Sequence, residues 1–305
     1  MDKEQHGTLI VITGPTGVGK TAAAIKAATH LGTEVISADS RQIFREIPIG
    51  TAAPTAEEQA IVPHHFVAIK SITDYYSSAQ FETDVLNLLP SLFKKSGYAV
   101  MCGGSMLYVD AVCKGIDDMP TISAEIREKV VRMYQDCGIE CIIAQLELLD
   151  PDYLRIVDIK NEKRLLHALE ICLQSGQSYT SLRTGKKKQR PFRIVKIGLN
   201  MPREELFDRI NSRVDKMMEA GLEEEARSVY HLRHLNSLNT VGFKEMFAYF
   251  NGTMDFVTAR ERIKKNTRVY AKRQLTWYAK DKEIMWMRPE ELTPEVLDGI
   301  IRSLD

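Results

Sequence analysis

The sequence predicts an α/β fold: a parallel sheet with helices on both faces, interrupted by a helical insertion. Three observations carry this. Short apolar runs alternate with helix-like segments in the first third of the chain. A glycine-rich loop joins the first run to the first helix. From about residue 121 to 182 only helical spacing remains, and strand character then returns. Residues 8–13 (Thr-Leu-Ile-Val-Ile-Thr) read as a buried parallel strand. An Ala-rich helix runs from Thr21 to Leu31. Residues 34–38 form a second strand ending at Asp39-Ser40, and residues 98–102 another ending at Gly103-Gly104-Ser105. A helix starts near Met106. Residues 183–190 read as an exposed charged loop, 193–199 as a strand, and 203–282 as helical. The expected division is a core of 1–118 and 192–305 around an insertion of 119–191.

The chain has 305 residues, with 41 Lys plus Arg balanced by 41 Asp plus Glu. That balance excludes a disordered acidic chain and a uniformly basic nucleic-acid coat protein, but not a local basic surface. No run approaches ~18 apolar residues, so no membrane span is expected. The polar start, Met1 to His6, shows no apolar core of a signal peptide. Five cysteines (102, 113, 137, 141 and 172) lack zinc spacing, and are expected as free thiols of a cytoplasmic protein.

Gly14-Pro15-Thr16-Gly17-Val18-Gly19-Lys20-Thr21 matches the phosphate-loop pattern, between a strand and a helix as that pattern requires. Backbone amides in such a loop point into one concavity, and the helix N-terminus adds positive potential. Lys20 reaches a terminal phosphate and Thr21 holds Mg2+. These parts give a P-loop NTPase-like core. The second strand of an ATPase should end in an acid serving the magnesium, yet 98–102 ends in Gly-Gly-Ser. Asp39 ends the other strand, placed either to serve the metal or to take a proton from a nucleophile.

Basic residues concentrate in two segments. Between 155 and 190 there are nine Lys/Arg against three acids; between 260 and 282 there are nine against two, interleaved with Tyr270, Trp277 and Tyr278. Cations beside aromatics suit a phosphate backbone with unstacked bases.

Further motifs run in order along the chain: Asp39-Ser40-Arg41-Gln42-Ile43-Phe44, Gly50-Thr51-Ala52, Pro63-His64-His65, Gly103 to Tyr108, Arg164 with Ala168-Leu169-Glu170, Val241-Gly242-Phe243, and Lys272 to Trp277. With the phosphate loop, they resemble the tRNA dimethylallyltransferases. The resemblance implies transfer of a dimethylallyl group from its diphosphate to the exocyclic amine of the adenosine 3′ of a tRNA anticodon. It makes tRNA and dimethylallyl diphosphate the partners, Mg2+ the cofactor, and a monomer the working form. It assigns Asp39 as general base, Ser105 as a hydroxyl near the amine, and Arg127 as a tRNA contact at the active site. Arg213 becomes a diphosphate contact beside the loop Gly14 to Thr21. The tRNA surface implied is Asp39, Ser40, Arg41, Gln42, Ser105, Arg127, Lys163, Arg164, His167, Gly242, Phe243, Lys244, Lys272, Arg273, Gln274, Thr276 and Trp277. The sequence departs from the family pattern at Ala53 (often Lys), Ala68 (often Asp), Ser105 (usually Thr), Phe44 and Phe243 (usually Tyr), and Lys160-Asn161 (usually Asn-Asp). Two other readings use the same motifs: an ATP-dependent small-molecule phosphotransferase, and a non-catalytic tRNA-binding relative.

Overall fold

The computed structural model describes residues 7–303. Six parallel strands form one sheet: β1 (Thr8–Thr13), β2 (Val35–Ser37), β3 (His64–His65), β4 (Tyr98–Cys102), β5 (Arg193–Leu199) and β6 (Ile284–Met287). Their order across the sheet is β3-β2-β4-β1-β5-β6. The central strand β1 pairs with β4 on one side and β5 on the other. All carboxyl ends therefore open on the same edge, where an α/β sheet binds its ligand.

The alternation along β1 sorts its side chains between two cores. Ile10 and Ile12 join Val100, Val195 and Ile197 on one face. Leu9 and Val11 join Ile36, Ala99 and Met101 on the other. Helix α1 (Lys20–His30) covers the first face through Ala23, Ala24, Ala27 and Ala28, whose small side chains let it lie close to the sheet. Helix α2 (Ser78–Ser96) covers the second through Phe81, Val85, Leu89 and Leu92. The Ser77 hydroxyl accepts from the Gln80 amide to start α2, and Gly97, in the left-handed region, ends it. Helix α3 (Met106–Lys114) follows β4 and buries Tyr108, Val109 and Val112 on the same face.

The chain divides into two compact units. One runs to Cys113 and resumes at Arg190; the other is Lys114–Gln189. The second has its own core, in which Val130, Ile142 and Leu146 of α4 (Ala124–Leu149) meet Leu165, Ala168 and Leu169 of α5 (Glu162–Ser175). Asn161 caps α5 by accepting from the Arg164 amide, so the Lys160-Asn161 departure keeps a helix start. One sequence expectation is corrected here: Cys137 and Cys141 are joined in a disulfide. They lie on either side of Gly138, whose backbone leaves helical geometry, and their Cα atoms are 5.9 Å apart, inside the disulfide range. Cys102, Cys113 and Cys172 are buried thiols.

In the first unit, β5 leads into α6 (Arg203–Glu219) and α7 (Leu222–Ser228), then α8 (Phe243–Phe250) and the long α9 (Phe256–Tyr278). After β6, α10 (Pro294–Arg302) adds Leu297 and Ile301 to the α1 face. No described helix is long and apolar enough to cross a membrane.

Candidate active site

The loops after β1, β2 and β4 meet helices α6 and α9 around a cleft of about 980 Å³. The phosphate loop forms its floor. Gly19 ends that loop at φ 105, a conformation that side chains rarely take, and so starts α1 with amides facing the cleft. Thr16, Gly17, Gly19, Lys20 and Thr21 line the cleft. Val18 is wholly buried in the core below, so it serves the loop through its backbone alone. Gly14 and Pro15 serve through their carbonyls: Lys20 Nζ donates to Gly14 O at 3.1 Å and Pro15 O at 2.8 Å.

The ammonium of Lys20 is thus folded back on its own loop. Burial, helped by the charge of Arg213 and opposed by Cys102 and Asp39, brings its pKa down from the ordinary lysine range to about 8. Arg213, on α6, donates to the Thr16 hydroxyl at 3.3 Å, and burial lowers its pKa too. Two cations held partly desolvated beside an array of amides make a site suited to an anion.

Asp39 stands at the end of β2, across the cleft. One carboxylate oxygen, Oδ1, accepts from the Arg41 amide at 2.9 Å and the Gln42 amide at 3.4 Å. This turn fixes the side chain through Oδ1 alone. Ser105, 8% exposed, accepts from the Ser40 amide at 2.8 Å and donates to the Ser40 hydroxyl at 3.3 Å. The glycines before it permit that approach. A Cβ on Gly103 would fall 2.1 Å from Ala38 O. Gln42 is pinned between the Ser37 hydroxyl and the carbonyls of Thr51 and Ala52. Asp39, Ser40, Arg41, Gln42, Ser105, Arg213, Gly242 and Lys244 all line the cleft.

Helix α9 carries the sequence Lys272 to Trp277 on two opposite faces. Lys272, Arg273, Thr276 and Trp277 are exposed, and the Trp277 indole donates to Asp110 at 3.0 Å. Gln274 is 2% exposed, with Ala271 and Tyr278 on the buried side. Gln274 lines the cleft, and both ends of its amide are bonded inside the protein. The RNA contact expected of the Phe243 side chain is corrected. It is wholly buried among Leu222, Met246 and Phe247, and a Cβ on Gly50 would strike its ring. Phe44 is also in that core, so Phe in place of Tyr at both positions leaves no hydroxyl to satisfy.

In the second unit, Lys163, Arg164 and His167 are exposed on α5, opposite its core face. Arg127 on α4 faces Glu170 at 3.9 Å, and His167 meets the same carboxylate at 3.5 Å. Of the departures, Ala53 donates its amide to Pro48 O, while Ala68 sits at φ 54, a left-handed position that favours Asp or Asn over Ala.

Tyr270 and Arg209 are among the cleft residues that the sequence reading did not name as site residues. Tyr270 lies one turn before Gln274 on α9; burial, with the nearby charge of Asp39, pushes its phenol up to about 12. It stays a neutral hydrogen-bonding group. Arg209, one turn before Arg213, reaches over Gly19. Helical spacing from Arg213 and Gln274 is the signal that finds them.

The residues fit a magnesium ion of the phosphate-loop kind. Among the described residues no cluster of three His, Cys, Asp or Glu could hold a metal. Thr21 lines the cleft at the start of α1, so one hydroxyl, water and the anion's own oxygens would complete the shell.

The IPP transferase family model matches residues 42–281. The chain is 55% identical over 291 residues to tRNA dimethylallyltransferase 1 of Bacteroides thetaiotaomicron, covering 95% of this chain and 94% of that protein. It superposes on the full-length tRNA isopentenylpyrophosphate transferase of Bacillus halodurans with a TM-score of 0.71, at 33% identity and 97% coverage of both chains. A eukaryotic dimethylallyltransferase acting on tRNA gives a TM-score of 0.78 at 26% identity, covering 93% of this chain and 74% of that one.

Proposed function

The chain belongs to the IPP transferase family, and from that premise we propose that it transfers a dimethylallyl group from dimethylallyl diphosphate to the exocyclic amine of the adenosine 3′ of a tRNA anticodon. The observation that carries the reading is the cleft itself. A cationic, amide-lined anion site faces a fixed carboxylate, and no acid follows β4 to serve ATP hydrolysis.

In the reaction the bond between the allyl carbon and the diphosphate oxygen breaks, and a nitrogen–carbon bond forms. Negative charge grows on the departing diphosphate. Lys20 leaves its loop carbonyls for that oxygen, with Arg213 and the amides of the loop beside it. Mg2+, when bound at Thr21, supplies Lewis-acid neutralisation of the same charge. The adenine amine is a weak nucleophile whose proton passes to Oδ2 of Asp39. Ser105 and Ser40 hold the rim beside that carboxylate. An adenine is reached only out of its stack, so the anticodon loop must splay. Lys272, Arg273, Thr276 and Trp277 supply cations and a ring for its backbone and bases; Lys163, Arg164, His167 and Arg127 of the second unit supply the other RNA contacts. With tRNA as the proposed substrate, the cytoplasm is the compartment and a monomer the working form in this reading.

The test is to incubate the protein with dimethylallyl diphosphate, Mg2+ and an adenosine-rich anticodon stem-loop, then weigh the RNA. A gain of one five-carbon prenyl unit is expected. Unchanged RNA with turnover of ATP would replace this reading with the phosphotransferase one.

A further inference from the structure

Gln274 belongs to the helix of RNA-facing cations, yet its side chain points the other way, into the protein. Its Oε1 accepts from the Thr16 amide at 2.8 Å, and its Nε2 donates to Gly104 O at 2.9 Å. The orientation of the amide is forced, because a backbone N–H only donates and a backbone carbonyl only accepts. Thr16 is in the phosphate loop and Gly104 is in the turn that delivers Ser105 beside Asp39. These two loops follow different strands, β1 and β4, and the amide spans them. The fit is close: a Cβ on Gly104 would lie 2.2 Å from Nε2 of Gln274. Thr16 is held from its other end as well, where Arg213 donates to its hydroxyl.

We propose that Gln274 is a positioning residue: it sets the distance between the donor's phosphate loop and the Gly104-Ser105 turn on the acceptor side, and holds α9 to both. The assignment rests on the proposed prenyl transfer. A cleft that must bring an allyl carbon and an amine into line depends on the separation of its two walls, and small misplacements there are costly to rate. A side chain bonded to both walls fixes that separation.

Two variants separate the arms. Gln274→Met keeps length and packing and removes both hydrogen bonds. Gln274→Glu keeps the acceptor for the Thr16 amide and puts a carboxylate oxygen against the Gly104 carbonyl. Binding of magnesium diphosphate, binding of the stem-loop RNA, and kcat and KM for dimethylallyl diphosphate are measured for each. The Met variant is expected to lose about tenfold in diphosphate affinity and at least as much in kcat. The Glu variant is expected to hold diphosphate affinity within about twofold while kcat falls. RNA affinity should stay within about twofold in both, which also reports that α9 is folded. Wild-type diphosphate affinity and kcat in the Met variant would overturn the proposal. So would a tenfold loss of RNA affinity with diphosphate binding intact, which would make Gln274 an RNA contact. Should the Met variant not fold, the Glu variant decides by the same split. A wild-type protein that binds diphosphate but modifies no RNA overturns the prenyl-transfer reading, and the diphosphate arm still decides the role of Gln274.

Discussion

At the scale of single residues, the fold alters the ordinary chemistry of groups that line the cleft. Lys20 is the clearest. With its pKa brought down to about 8, the free enzyme starts to lose this cation just above neutrality. A diphosphate beside it restores the charged form, so binding falls as the pH passes the free-enzyme value. Values of kcat/KM for the donor should be flat below pH 8 and drop toward tenfold per unit above it. Lys20→Arg, which does not titrate in this range, should remove the bend at some cost in rate. A wild-type profile flat to pH 9.5 would refute the role. Asp39 gives a second prediction. Asp39→Asn keeps an oxygen for the Arg41 and Gln42 amides but cannot take a proton, so turnover should fall by about a hundredfold or more with RNA affinity unchanged. Near-normal turnover would remove the general base. Ala68 tests the backbone. Its φ of 54 costs an Ala more than a Gly, so Ala68→Gly should raise stability by roughly 0.5–1 kcal/mol in a denaturant melt.

At the scale of elements, legibility followed burial and length. The strands β1, β2, β4 and β5 announced themselves as apolar runs because both of their faces are covered. The two edge strands did not. β3 is two histidines, and β6 (Ile-Met-Trp-Met) follows a charged stretch and is half exposed. A motif tells which residues travel together, but not which way each one faces. Gln274 and Phe243 lie inside motifs read as RNA-binding, yet both are buried. The spacing Ala271-Gln274-Tyr278, three and then four residues, already placed Gln274 on the inner stripe of α9. What that spacing could not supply was its partners, Thr16 and Gly104, which only the tertiary fold brings near. The exposed stripe of the same helix carries the next prediction. Lys272→Ala with Arg273→Ala should weaken stem-loop binding and reduce the slope of log affinity against log salt by about one to two. An unchanged slope would put the RNA elsewhere. Donor binding should hold, because neither cation is bonded to the phosphate loop.

At the scale of the whole molecule, a net charge of zero is a sum over unlike surfaces. Lys163 and Arg164 of α5 and Lys272 and Arg273 of α9 stand exposed, and acids such as Glu57, Glu58 and Glu223 to Glu225 balance them elsewhere in the chain. The two compact units add a second division, because their cores share no side chain. Damage to one core should therefore be felt first by that unit's function. Leu165 is wholly buried between α4 and α5, and Leu165→Ala would open a cavity there worth about 2–5 kcal/mol. The full-length variant should exchange its amide hydrogens faster in 114–189, with the sheet of the first unit protected as before. If the second unit contributes RNA contacts, stem-loop affinity should drop in step with that loosening, while magnesium diphosphate binds the phosphate loop as in the wild type. Equal loss of both affinities, with exchange accelerated throughout the chain, would instead mean that the units fold as one cooperative body.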